Sequence, residues 1–167
     1  MKIVLNIVTL VFAILASHFS FSQCPSPSEL MKPDRKAGWS ESSQSKSGAL
    51  MSGQEYTYTF IAQRGMEYKV NALAGVDVIS SENVDFKLYY TEVEKTMIDG
   101  EWVYDRVDKV VFDSKTNKEE KGEITFSSSK TRKLTMKLSL TSFEKENVVQ
   151  CVAICVETRR MPDIGLK

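Results

Sequence analysis

The sequence predicts an all-β fold: a single antiparallel β-sandwich of about eight strands, of jelly-roll or immunoglobulin-like type, behind a short irregular N-terminal leader. Three observations predict it. Apolar and polar residues alternate with a period of two through most of the chain beyond Gly38. No stretch sustains the 3.6-residue period of an amphipathic helix. Turn-forming Gly, Asp, Ser and Asn recur at short intervals between the alternating runs.

Taken in order, residues 1–22 read as an export signal. Lys2 gives the positive start, residues 3–16 are apolar apart from Asn6 and Thr9, and Ser20 and Ser22 are the small residues expected before a cleavage that leaves Gln23 first. The apolar run is shorter than the roughly 18 to 20 residues that span a bilayer, so no stable membrane insertion is expected after cleavage. A lipid anchor on Cys24 is disfavoured, because Gln23 stands where an acylation motif needs a small residue. Residues 23–38 form the leader. Pro25, Pro27 and Pro33 keep it extended, with at most one helical turn around residues 28–32.

The sandwich proper is expected over residues 39–160, with 161–167 as a tail. The serine-rich patch at residues 40–47 alternates poorly and suits an edge strand. Tyr56, Tyr58 and Phe60, then Met66, Tyr68 and Val70 after the break Gln63-Arg64-Gly65, read as a hairpin with one buried face. Phe86, Leu88 and Tyr90, then Ile124 and Phe126, then Leu134, Met136, Leu138 and Leu140, each mark a half-buried strand. Asp99-Gly100 is the dipeptide favoured in a type I′ turn, joining residues 93–98 to 101–104 in a protruding ribbon; a second turn is expected at 114–122. The closing run, residues 148–156, is apolar on both parities. It belongs at the centre of the core, its outer face covered by the leader or by a second copy of the chain.

Charge and chemistry exclude much. Lys plus Arg and Asp plus Glu both number 22, and the two signs are interspersed, so neither a nucleic-acid groove nor a polybasic membrane patch is expected. The single histidine, His18, lies in the export segment. Its loss removes the commonest general base and metal ligand from the exported protein. No serine sits in a Gly-x-Ser-x-Gly elbow, and there is no phosphate-binding glycine loop or dinucleotide fingerprint. No catalytic residue, no metal ligand and no cofactor is therefore nominated.

The three cysteines, Cys24, Cys151 and Cys155, are an odd set for an oxidising compartment. Cys151 and Cys155 share one face of the closing strand. Their Cα atoms would stand roughly 13 Å apart, against a limit near 7 Å for a disulfide, so they do not pair with each other. Cys24 bridging Cys151 or Cys155 is one reading; buried free thiols are the other. The acidic group Asp99, Glu101, Asp105 and Asp108 lacks the spacing of a calcium loop, and a ribbon turns alternate carboxylates to opposite faces. Trp102 and Tyr104, two apart on that ribbon, share a face and are the nominated binding residues, since Trp and Tyr anchor interfaces and stack on sugars. Trp39 and Tyr89 suit packing better.

The segments Gln44-Ser45-Lys46-Ser47-Gly48, Gly53-Gln54-Glu55-Tyr56, Phe60-Ile61-Ala62 and Gly65-Met66-Glu67-Tyr68 resemble small exported β proteins of Bacteroidota bacteria. So does the end of the chain, Cys151-Val152-Ala153-Ile154 through Met161-Pro162-Asp163-Ile164-Gly165. The strand carrying Asp85, Phe86, Leu88 and Tyr89 is also similar to one in bacterial pre-peptidase C-terminal β-sandwich domains. Both resemblances imply an exported β-sandwich and neither supplies catalytic residues. The stretch between Tyr90 and Phe112 is longer than in either.

The expected function is thus an exported, non-catalytic module that binds protein or glycan at the cell envelope, in the periplasm or outside the cell. A structural protein that forms a homo-oligomer is the alternative, and a histidine-free carboxylate hydrolase is the second.

Overall fold

A computed structural model describes residues 24–75, 80–117, 122–140 and 149–161. Residues 1–23, which carry His18 and whose first 22 read as an export signal, the tail beyond Met161 and the middle of the 114–122 turn lie outside them. The elements are a helical turn α1 (Pro27–Leu30) and nine strands: β1 (Ser40–Glu41), β2 (Lys46–Met51), β3 (Glu55–Ala62), β4 (Met66–Gly75), β5 (Val84–Ile98), β6 (Glu101–Asp113), β7 (Glu123–Ser128), β8 (Arg132–Leu140) and β9 (Val149–Arg160). They form two antiparallel sheets packed face to face. In the first, β9 pairs with β1 and β2 on one side and with β4 on the other, and β7 lies beyond β4. In the second the order is β3-β8-β5-β6. The all-β sandwich is what the period-two alternation requires.

Each sheet contributes its apolar parity to one core. Tyr68, Val70, Ala72 and Ala74 of β4 face inward beside Val152, Ile154 and Val156 of β9. Opposite them stand Tyr58 and Phe60 of β3, Phe86 and Leu88 of β5, Phe112 of β6, and Leu134, Met136 and Leu138 of β8. Phe86 and Phe112 pack with ring centroids 4.9 Å apart, and Tyr68 stacks on Phe126 at 5.5 Å. Burying each such aromatic contributes about 1.5–3 kcal/mol, which is why the alternation fixes the faces so firmly.

One expected pairing is corrected. β3 and β4 do not form a hairpin: β3 pairs with β8, β4 pairs with β7 and β9, and the chain crosses from one sheet to the other at residues 63–65. Gly65 makes the corner with φ 80°, its amide donating to the Ser128 carbonyl at 2.9 Å. Phe60 and Tyr68 consequently meet across the core, ring centroids 6.0 Å apart, rather than side by side in one sheet. An amphipathic strand, a short polar break and a second amphipathic strand describe a lateral hairpin and an arch between sheets equally well.

The closing strand is central, and its outer face is covered by the leader. Ala153 and Cys155 on that face pack with Met31, and Leu30 and Leu73 flank them. Cys24 and Cys151 form a disulfide with Cα atoms 5.3 Å apart, leaving Cys155 as a buried free thiol. Further along the strand, β9 and β4 exchange ion pairs on the same outer face: Lys69 with Glu157 at 3.2 Å, and Glu67 with Arg159. Trp39 lies over both, its ring centroid 4.6 Å from the Arg159 guanidinium and 5.5 Å from Lys69 Nζ. It packs the leader onto the sheet, as expected of a structural aromatic. The serine-rich patch supplies β1 and the approach to β2 at the sheet's edge, where Ser45 Oγ accepts from the Val156 amide at 3.0 Å.

Candidate binding surface

β5 and β6 run on past the rest of their sheet. β8 pairs with β5 only as far as Tyr89, yet the β5–β6 ladder continues to Ile98 and Glu101. From Thr91 to the tip the two strands pair, among the described residues, only with each other. The tip is the expected tight turn: Asp99 at φ 51° and Gly100 at φ 86° take the two positive-φ positions of a type I′ geometry. The ribbon is longer than the sequence suggested.

Its two faces differ in chemistry. Cross-strand register sets Met97 opposite Trp102, Lys95 opposite Tyr104, Val93 opposite Arg106 and Thr91 opposite Asp108, so these side chains share the face continuous with the sandwich exterior. Trp102, Tyr104, Val93, Met97 and Val110 are each more than half exposed and form an apolar stripe along it. Lys95 Nζ stands 3.8 Å from the Trp102 ring centroid and 5.6 Å from that of Tyr104. The opposite face carries Glu92, Glu94, Glu101, Asp105 and Lys109 around Val103, Val107 and Ile98. Lys109 is ion-paired with Glu94, whose hydrogen bond raises the lysine pKa.

The structure therefore brings the nominated Trp102 and Tyr104 together with three residues that sequence reasoning missed. Val93 and Met97 were within reach: a two-residue turn at Asp99-Gly100 fixes the register, and counting outward places both beside the aromatics. Val110 was within reach as well, since it shares strand and parity with Trp102 and Tyr104; the register shift that leaves Val111 as an extra residue falls beyond it and turns Phe112 into the core instead. The acidic residues once weighed as oxygen ligands divide between the faces, and among the described residues no three His, Cys, Asp or Glu side chains converge.

Three carboxylates, Glu55, Asp85 and Asp113, line a groove of about 180 Å³ at the other end of the second sheet. There Glu55 pairs with Lys137 at 3.0 Å, Asp113 with Lys87 at 3.7 Å and Asp85 with Lys115 at 3.8 Å. Each acid has its own lysine.

Fold and surface define a class: a two-sheet antiparallel β-sandwich with a projecting, apolar-faced ribbon. No family model matches the chain, and no curated protein sequence aligns with it significantly. Among solved structures it is similar to the periplasmic inhibitor of g-type lysozyme from Aeromonas hydrophila, with 12% identity over 75% of this chain and 92% of that one and a TM-score of 0.41. The corresponding inhibitor from Salmonella Typhimurium shows 20% identity over 75% and 94%, with a TM-score of 0.33. Both scores are too low to carry the inhibitors' partner over to this chain. Among the described residues no helix is long and apolar enough to cross a membrane.

Proposed function

We propose that this chain is an exported, non-catalytic module that binds a protein through the outward face of the β5–β6 ribbon. The observation that carries this reading is the stripe of Val93, Met97, Trp102, Tyr104 and Val110, exposed on an element that contributes almost nothing to the core. Large apolar side chains gathered on a projecting element, rather than scattered singly, are the mark of an interaction surface. Protein is favoured over glycan as the partner. Lys95 covers one face of the Trp102 indole and also lies near the Tyr104 ring, and Val93, Met97 and Val110 are aliphatic, which suits packing against side chains better than stacking of sugar rings.

Export is supported by the segment at residues 1–22 and by the Cys24 to Cys151 disulfide, a bond that persists in oxidising compartments. The test compares the immobilised wild-type protein with a Met97→Ala/Trp102→Ala variant in capture from envelope and culture-medium fractions. The expected ligand is destroyed by protease, survives glycosidase, and is retained at least tenfold less by the variant. Equal retention by both forms, or direct retention of purified polysaccharide, refutes the reading.

A further inference from the structure

The two edges of the second sheet are finished differently. Along β3, the Gln44 side chain takes the place of a neighbouring strand: its Oε1 accepts from the Ile61 amide at 2.8 Å and its Nε2 donates to the Ile61 carbonyl at 3.1 Å. Along β6, no strand among the described residues pairs with the edge that faces away from β5. An open edge of this length recruits another strand unless its side chains forbid it.

The side chains of β6 select one partner. Two identical strands related by a two-fold axis pair antiparallel about a single residue, and side chains set opposite each other share a face. Centred on Val107, that register opposes Arg106 to Asp108, Asp105 to Lys109 and Tyr104 to Val110, each pair occurring twice, with Val107 against itself. Over residues 104–110, the stretch before the extra residue Val111 interrupts the strand, every charge meets its opposite and every apolar residue meets an apolar one. Moving the centre by one residue sets Arg106 against Arg106 or Asp108 against Asp108, and like charges directly opposed are destabilising.

Within one copy two of these charges lack an ion-pair partner among the described residues, although Lys109 is paired with Glu94. Asp105 lies directly opposite Glu94 across the ribbon, Arg106 lies opposite Val93, and neither forms an ion pair among the described residues. Thr91 Oγ1 donates to Asp108 Oδ1 at 2.7 Å, which leaves the second carboxylate oxygen to accept from an arginine. We infer that β6 is a self-recognition edge: two copies of this chain join their second sheets through antiparallel β6 pairing centred on Val107. Tyr104 of each copy then covers Val110 of the other, and the two apolar stripes become one continuous face.

The seam shares Tyr104 and Val110 with the proposed protein-binding stripe, but Asp105 and Lys109 project from the opposite face, so reversing their charges tests the pairing without altering the stripe. The test is sedimentation of the exported, disulfide-intact protein from micromolar to millimolar concentration. Wild type is expected to move from monomer to dimer. Asp105→Lys and Lys109→Asp, each opposing like charges at two sites, are expected to weaken the dimer at least tenfold. An equimolar mixture of the two variants restores both complementary pairs and is expected to dimerise as wild type does. Recovery on mixing also shows that each variant is folded. A wild-type chain that stays monomeric at millimolar concentration overturns the inference, as does a dimer indifferent to the single reversals or not recovered on mixing. Loss of dimer with partner capture intact would leave the binding role standing alone, and the converse would do the opposite.

Discussion

Trp39 and Trp102 carry the same side chain to opposite environments, and truncation should separate them. Trp39 is 9% exposed, beneath the leader and over Arg159 and Lys69, so Trp39→Ala is expected to cost about 3–5 kcal/mol in urea unfolding. Trp102, 52% exposed on the ribbon, should cost within about 0.5 kcal/mol when truncated. A large loss at Trp102 would mean that its ring is structural. Two other side chains set an alkaline limit. Burial pushes the Cys155 thiol from 9.0 up to about 12, with the Glu157 and Glu41 carboxylates adding to it, and burial next to Tyr56 pushes Tyr58 from 10.0 up to about 12. Both groups hold their protons longer folded than unfolded. Between pH 9 and about 12 the unfolded chain therefore loses protons that the native one keeps, and stability falls as pH rises through that window. Urea midpoints at pH 8, 9.5 and 11 check the sign. At pH 8 the same burial should leave Cys155 unreactive toward iodoacetamide until the protein unfolds.

At the scale of the element, the ribbon and the closing strand behave as opposites. Beyond Tyr89 the ribbon is held by β5–β6 pairing and its turn, with little buried apolar area, so it should open locally at low cost. Gly100 sits at φ 86°, where a β-branched residue is strained. Gly100→Val is expected to speed hydrogen exchange at Thr96 and Val103, a hydrogen-bonded pair of the ribbon, by roughly tenfold, the effect of about 1.4 kcal/mol. Amides of Leu134 and Met136 in β8 should be unchanged. Slowing of those core amides' recovery, or acceleration spread over the whole sheet, would show that the ribbon is part of the global folding unit. β9 has no such freedom: it pairs on both sides, packs on both faces and is tied covalently to the leader. An Ile154→Ala change there should cost about 2–5 kcal/mol and show in every probe of unfolding.

At the scale of the molecule, the disulfide closes a loop spanning 127 residues, nearly the whole described fold. Chain-entropy arguments assign such a closure about 3–5 kcal/mol. Reduction of the wild type should lower its unfolding free energy by that amount, Cys24→Ser should match the reduced protein, and the variant should ignore reductant. The sequence by itself determined the fold class and the strand faces, because period-two alternation states which side of each strand is buried whatever the strand lies beside. It also determined the Asp99-Gly100 turn, whose backbone demands are local, and the central place of residues 148–156, apolar on both parities. Lateral neighbours are a different kind of fact. Only the tertiary structure decided that β3 and β4 face each other across the core, since an arch and a hairpin use the same alternation. It alone chose Cys151 over Cys155 for Cys24, because the two share a face and the choice depends on where the leader lies. The common face of Trp102, Tyr104 and Val110 was legible because they share one strand and one parity, whereas only the structure shows Phe112, of the same parity, turned into the core, since the extra residue Val111 that turns it is announced by no local pattern.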